Sequence, residues 1–250
     1  MRIAIVTGAS SGLGREFAKQ LPYFYKNLDE IWIIARRKER LESLNSRSKA
    51  VYRVFEGDLL ENSVYERLEE ALLATEPEVK MIVNAAGYGK IGSISALSRQ
   101  ADEKQLKMID LNCRALTKMT SLCLGYMSSG SRIINIASAA AFCPQPGFAV
   151  YAATKSYVYS FTRALSAELK RKEIYVTAVC PGPVDTEFFA VAGSMDNCLK
   201  KLVLADPVQV VHTALIDSRN KKEVSVYGTI MKLSRVITKI LPDSLIMKFF

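Results

Sequence analysis

The stretch Arg2-Ile3-Ala4-Ile5-Val6-Thr7-Gly8-Ala9-Ser10-Ser11-Gly12-Leu13-Gly14 decides the fold. A short β-branched apolar run leads straight into a glycine-rich turn, and an amphipathic pattern follows over Gly14–Phe24, with Pro22 expected to shorten or kink that helix. Glycines let backbone approach a pyrophosphate, and a helix N-terminus offers it unpaired N–H groups and the positive end of a dipole. Strand, turn and helix in this order therefore read as a dinucleotide-binding unit, with Gly8, Ser10, Ser11, Gly12, Leu13 and Gly14 as its phosphate-side residues. The letters Gly8-Ala9-Ser10-Ser11-Gly12 also match the GxSxG elbow of hydrolases. That reading needs a histidine base, and the chain has one histidine, His212, inside an amphipathic helix, where packing is the expected role.

Working outward, similar apolar runs recur at Glu30–Ala35, Val51–Phe55, Lys80–Asn84, Arg132–Ala137, Ile174–Val179 and Glu223–Tyr227. Most are apolar at consecutive positions, as expected when helices cover both faces of a parallel sheet. Helical patterns fall between them at Lys38–Leu44, Asn62–Leu73, Asp102–Met127, Ala152–Lys172 and Pro207–Asp217, with a last one near Ile230–Leu241. The expectation is an α/β protein with a doubly wound Rossmann-type parallel sheet of about seven strands in three α/β/α layers. Nothing resembling a linker or a repeat divides the 250 residues. They read as one domain, with 1–135 mainly the cofactor half, 136–228 the catalytic and substrate half, and 229–250 a C-terminal amphipathic segment.

Composition narrows the function classes. Hydrophobic residues make up 49% and charged residues 24%, which excludes disorder, collagen and coiled coil. Five cysteines without CxxC pairing argue against a disulfide framework or a zinc site, and no metal is expected. The formal charge of +9 suits an anionic partner, but the basic residues form separate clusters without a stripe or motif, so nucleic acid is not expected. With no signal-peptide pattern and no apolar run of about 18 residues, a cytoplasmic location is expected.

At the end of the second strand, where an NAD-binding unit carries an acid for the ribose 2′-hydroxyl, stand Arg36 and Arg37. A guanidinium fork matches a 2′-phosphate, which favours NADP(H). Asp58, beside Leu59 after the third strand, reads either as an acceptor for the adenine amino group or as a helix cap.

Ser138 ends the fifth strand, Tyr151 follows a proline-containing loop, and Lys155 lies four residues on, on the same helix face. A free tyrosine titrates near pH 10, so acid–base work at neutral pH requires its anion to be stabilised, and Lys155 supplies the ammonium. The Ser138 hydroxyl is placed to hydrogen-bond a carbonyl and support the developing alkoxide.

With these residues the chain resembles the short-chain dehydrogenase/reductase family over nearly its whole length. The family's TGxxxGxG is Thr7 to Gly14, its YxxxK is Tyr151 to Lys155, and its active-site serine is Ser138. Its NNAG segment corresponds to Asn84-Ala85-Ala86-Gly87; the departure at Ala85 removes an amide from a turn that stabilises the sheet. The resemblance implies that Asn112 holds a water linking Lys155 to solvent. It also implies that Pro181, Gly182, Val184 and Thr186 lie by the nicotinamide, and that Lys155 also serves the ribose hydroxyls. Relatives are commonly dimers or tetramers, so a homo-oligomer is expected.

Relatives place substrate specificity between the serine and the tyrosine and after Pro181-Gly182. Both segments are largely apolar here, with Phe142, Phe148, Phe188 and Phe189 beside Ser138 and Tyr151 as substrate-lining candidates. The expected reaction is NADP(H)-dependent hydride transfer to or from a hydrophobic ketone or alcohol, a hydroxysteroid-like compound among them. A general aldehyde, ketone or 3-oxoacyl reductase is the alternative, and a non-catalytic redox-sensing NADP-binding protein is the alternative of another class. Across Thr229–Phe250, Ile230, Leu233, Ile237, Ile240 and Leu241 recur at helical spacing against Lys232, Arg235 and Lys239. That stripe is expected to pack on a partner subunit or roof the cleft, peripheral membrane contact being the other role.

Overall fold

The computed structural model describes residues 1–45, 50–94, 99–188, 192 and 204–247. Seven strands, β1 (Arg2–Thr7), β2 (Glu30–Ala35), β3 (Tyr52–Glu56), β4 (Glu78–Asn84), β5 (Arg132–Ile136), β6 (Tyr175–Val179) and β7 (Val224–Ser225), form one parallel sheet in the order β3-β2-β1-β4-β5-β6-β7. The order reverses between β1 and β4, which opens a crevice at the carboxyl ends of those strands.

Alternate residues of each strand go to opposite faces, and both faces are buried. Ala4 and Val6 of β1 pack with Phe17 and Leu21 of α1 (Gly12–Phe24), Leu41 of α2 (Lys38–Asn45) and Val211 of a later helix. Ile3 and Ile5 pack on the other side with Leu68 of α3 (Asn62–Thr75), with Met119, and with Leu165 of a long helix described below. Both faces being covered explains why the strands read as unbroken apolar runs.

Two local departures from the expected helices have visible causes. Pro22 lies inside α1 without ending it, and the carbonyl its missing N–H leaves free, that of Ala18, accepts a hydrogen bond from Tyr52 Oη at 2.9 Å. The helix expected over Asp102–Met127 is three pieces: α4 (Arg99–Ile109), a π-helical segment at Asp110–Ala115 and α5 (Leu116–Leu124). The wider turn falls on Asn112, and such turns gather at functional sites.

The rest of the chain is a 3₁₀ turn at Ala139–Phe142, α6 (Ala149–Leu169), α7 (Pro207–Arg219), α8 (Thr229–Ile240) and α9 (Asp243–Ile246). Strand β7 is shorter than the Glu223–Tyr227 run because only Val224 and Ser225 meet β6.

Candidate active site

The glycine turn is set by close backbone approach. A Cβ on Gly14 would lie 2.5 Å from the Gly8 carbonyl oxygen, and one on Gly8, whose φ is +69°, would lie 2.8 Å from the Ala86 nitrogen. Thr7 Oγ1 ties the same region to β4 by accepting from the Ala85 and Ala86 amides at 3.0 and 3.1 Å. Ser11 occupies the N-cap of α1 with extended backbone and no capping side-chain bond, so no side chain closes off the helix's first N–H groups. This cradle fits the pyrophosphate of a dinucleotide. Thr186 faces the cradle: a Cβ on Gly12 would meet its side chain at 3.5 Å.

Not every residue of the expected cofactor set turns its side chain toward the crevice. Asn84 is buried and donates to Thr120 Oγ1 at 3.0 Å and Asn135 Oδ1 at 2.9 Å, and Asn135 donates in turn to Thr162. It thus ties β4 and β5 to α5 and α6. Leu13 and Leu59 pack into the two faces of the core. Asp58 closes a local turn, accepting from the Leu60 amide at 3.0 Å, and caps no helix, the N-cap of α3 being Glu61; its other oxygen lies 3.7 Å from Arg36. Gly87 lies beside Asn112, and Val184 pairs with Ala205 after Pro181-Gly182.

The two arginines differ. The Arg36 side chain is 73% exposed, and its contact to Asp58 is a long one. Arg37 donates to Ser10 Oγ at 3.3 Å and pairs with Glu187 at 2.9 Å. Arg40 pairs with the other Glu187 oxygen, and the two guanidinium groups hold that carboxyl below the usual range. Neither Arg40 nor Glu187 was singled out in the sequence; an acid in an otherwise apolar loop was the available signal.

Tyr151 and Lys155 project from α6 into the crevice, both buried. Burial pushes the Tyr151 phenol up to about 12, against a smaller lowering by a hydrogen bond with Ser138. Burial also lowers Lys155 to about 8, Cys113 and Cys180 opposing. The expected lowering of the phenol by Lys155 does not appear: its Nζ lies 5.7 Å from the ring centre and donates to the Ile136 carbonyl at 2.8 Å, and burial sets the direction of the shift. Ser138 Oγ accepts from the Ala140 amide at 3.1 Å and so also caps the 3₁₀ turn.

Asn112 bonds to protein groups on two other elements. Its Oδ1 accepts from the Tyr88 amide at 3.0 Å, and its Nδ2 donates to the Tyr88 carbonyl at 2.9 Å and to Thr154 Oγ1 at 3.0 Å. Thr154 in turn donates to the Tyr151 carbonyl at 2.8 Å. Tyr88 and Thr154, both missed in the sequence, thereby link the π-helical turn to the helix that carries the tyrosine.

Aromatic rings enclose Tyr151. Phe148 stacks on it at 4.3 Å between centroids, and Phe188 leans on it at 5.5 Å. Gly89 makes room: a Cβ there would lie 2.6 Å from Phe188 and 2.9 Å from Phe148. Phe142 is a correction. It turns away from Tyr151 and meets Tyr159 edge-on at 5.8 Å, among Ala137, Cys180 and Val226, because the 3₁₀ turn directs it to the opposite side. Phe189 lies outside the described residues. His212 packs edge-on against Phe24 at 5.4 Å, the packing role expected of it.

Fold and crevice together define a Rossmann-type protein whose tyrosine, lysine and serine converge beside a dinucleotide cradle. The family model for short chain dehydrogenases matches residues 2–197, and the chain belongs to the short-chain dehydrogenase/reductase family of oxidoreductases. An uncharacterized oxidoreductase of Staphylococcus epidermidis is 31% identical over 187 residues, 74% of this chain and 79% of that protein. Human 17-beta-hydroxysteroid dehydrogenase type 3 is 30% identical over 189 residues, 73% of this chain and 59% of that one. Among solved structures, a short-chain dehydrogenase from Sphingobium yanoikuyae in complex with NADPH superposes with a TM-score of 0.78 at 22% identity, covering 98% of each chain.

Proposed function

We propose that this protein is an NADP(H)-dependent oxidoreductase that interconverts a bulky apolar ketone and its alcohol. The observation that carries the reading is the buried Tyr151 phenol, walled by Phe148 and Phe188 and one helical turn from the buried Lys155. When bound, the nicotinamide supplies or takes up the hydride. In reduction, Tyr151 Oη gives its proton to the carbonyl oxygen, and Ser138 Oγ donates a hydrogen bond to that oxygen as charge builds on it. Lys155, a cation below pH about 8, offsets the phenolate left behind. Burial keeps the phenol protonated at neutral pH, so the proton to be given is in place before reduction.

Support for NADP(H) comes from Arg36, whose exposed guanidinium stands at the end of β2, and from Arg37 and Arg40 behind it. Support for an apolar substrate comes from the rings around Tyr151 and from the likeness to a hydroxysteroid dehydrogenase. The test is a spectrophotometric screen of the purified protein with NADPH and NADH against ketones of graded size and hydroxysteroids. Consumption of NADPH that rises with the apolar bulk of the ketone is expected; NADPH binding without turnover on any compound would overturn the reading.

A further inference from the structure

Helix α8 wears its apolar face outward. Met231, Ser234, Arg235 and Thr238 are its half-buried residues, whereas Ile230, Leu233, Val236, Ile237, Ile240 and Leu241 just beyond its end are exposed, Leu233 by 60% and Ile240 by 75%. At 3.6 residues per turn these six occupy one arc roughly 140° wide. Exposed Lys232 and Lys239 run along its edge, and exposed Leu245 and Met247 extend the surface into α9 and the residue after it. The inward side is anchored: Met231 Sδ sits 2.6 Å from where a Cβ on Gly182 would stand, and Arg235 donates to Tyr159 Oη at 3.4 Å. The stripe expected to pack on protein is therefore left uncovered by the described residues, which contact the opposite side of the helix.

We infer that α8 is an in-plane anchor that docks the protein on an anionic lipid surface. Charge selects this occupant. Along Thr229–Ile246 the exposed Lys232 and Lys239 stand against the single acid Asp243, and the whole chain carries +9. A second copy meeting the same face about a twofold axis would set lysines against lysines, whereas anionic headgroups complement them. Length fixes the geometry. Twelve residues span about 18 Å, too short to cross a bilayer, and among the described residues no helix is long and apolar enough to do so. A helix of this pattern lies in the interface with its apolar face in the acyl boundary and its lysines at the headgroups.

The test is flotation of the full chain with vesicles of phosphatidylcholine alone or mixed with phosphatidylglycerol, and it needs no turnover. The protein is expected to rise with the mixed vesicles only, and added salt is expected to weaken that attachment. Leu233→Ser with Ile237→Ser should abolish flotation while leaving the melting temperature unchanged, because both side chains are exposed. Lys232→Glu with Lys239→Glu should weaken binding by at least about tenfold. Failure to float, or equal salt-independent flotation with both vesicle types, would overturn the inference. So would a wild-type oligomer that ignores vesicles and falls apart in the Leu233→Ser, Ile237→Ser variant, which would show a second copy on this face.

Discussion

On the cofactor side of the crevice backbone sets the shape, whereas on the catalytic side buried side chains do. At Gly14 the atoms nearest an added methyl would be main-chain atoms of Thr7 and Gly8, which cannot step aside. Around Tyr151 the neighbours are the rings of Phe148 and Phe188 and the ammonium of Lys155, each at the end of a rotatable chain. The first side tolerates little change and suits an invariant diphosphate. The second holds its chemistry in a few side chains and leaves the surrounding rings free to be exchanged for other substrates.

Replacing Lys155 sharpens the contrast most. Burial lowers it to about 8 from an ordinary 10.5, so the folded state binds this proton less tightly than the unfolded chain does. The resulting cost is full below pH about 8 and fades as pH rises toward 10.5. Lys155→Met is expected to stabilise the fold by up to about 3 kcal/mol at pH 7, to lose that advantage by pH 10, and to have no activity. Urea unfolding at the two pH values measures this, and a variant less stable at pH 7 than the wild type would show that Lys155 supports the fold.

Gly14→Ala should cost about 1–3 kcal/mol and abolish NADPH binding, because its clash is with backbone. Gly89→Ala meets only ring atoms of comparable closeness, so it should raise KM for a bulky ketone while the melting temperature stays near wild type. Equal effects of the two variants on stability would break the comparison between the two sides.

Much of this contrast was already legible as letters. Buried parallel strands announce themselves as unbroken apolar runs, and Thr7–Gly14, Ser138, Tyr151 and Lys155 sit at spacings that local geometry dictates. Less visible was anything decided by which way a side chain turns. Asn84 looks like part of a cofactor motif, but its amide is spent on Thr120 and Asn135. Phe142 and Phe148 are equivalent on paper until the 3₁₀ turn sends them to opposite sides. The π-helical turn at Asp110–Ala115 leaves no compositional trace, and α8 has the same periodicity whichever face it shows the protein.

Smaller effects are expected at the arginines. Arg36→Asp should weaken NADPH about tenfold relative to NADH, the equivalent of one charge-assisted contact. Glu187→Gln should strengthen NADPH binding a few-fold, because Glu187 occupies Arg37 and Arg40 while Gln leaves their charge to a 2′-phosphate. Fluorescence titration of both cofactors reads these shifts, and unchanged cofactor preference in Arg36→Asp would remove Arg36 from the phosphate site.

The most direct measurement pairs turnover and NADPH binding in Tyr151→Phe, assayed with whichever ketone the wild type reduces fastest. The ring and its stacking on Phe148 remain while the transferable proton is gone. Turnover is predicted to fall by at least about 10²-fold with NADPH affinity within about twofold of wild type. Near-normal turnover in that variant would contradict the assignment of Tyr151 as the acid.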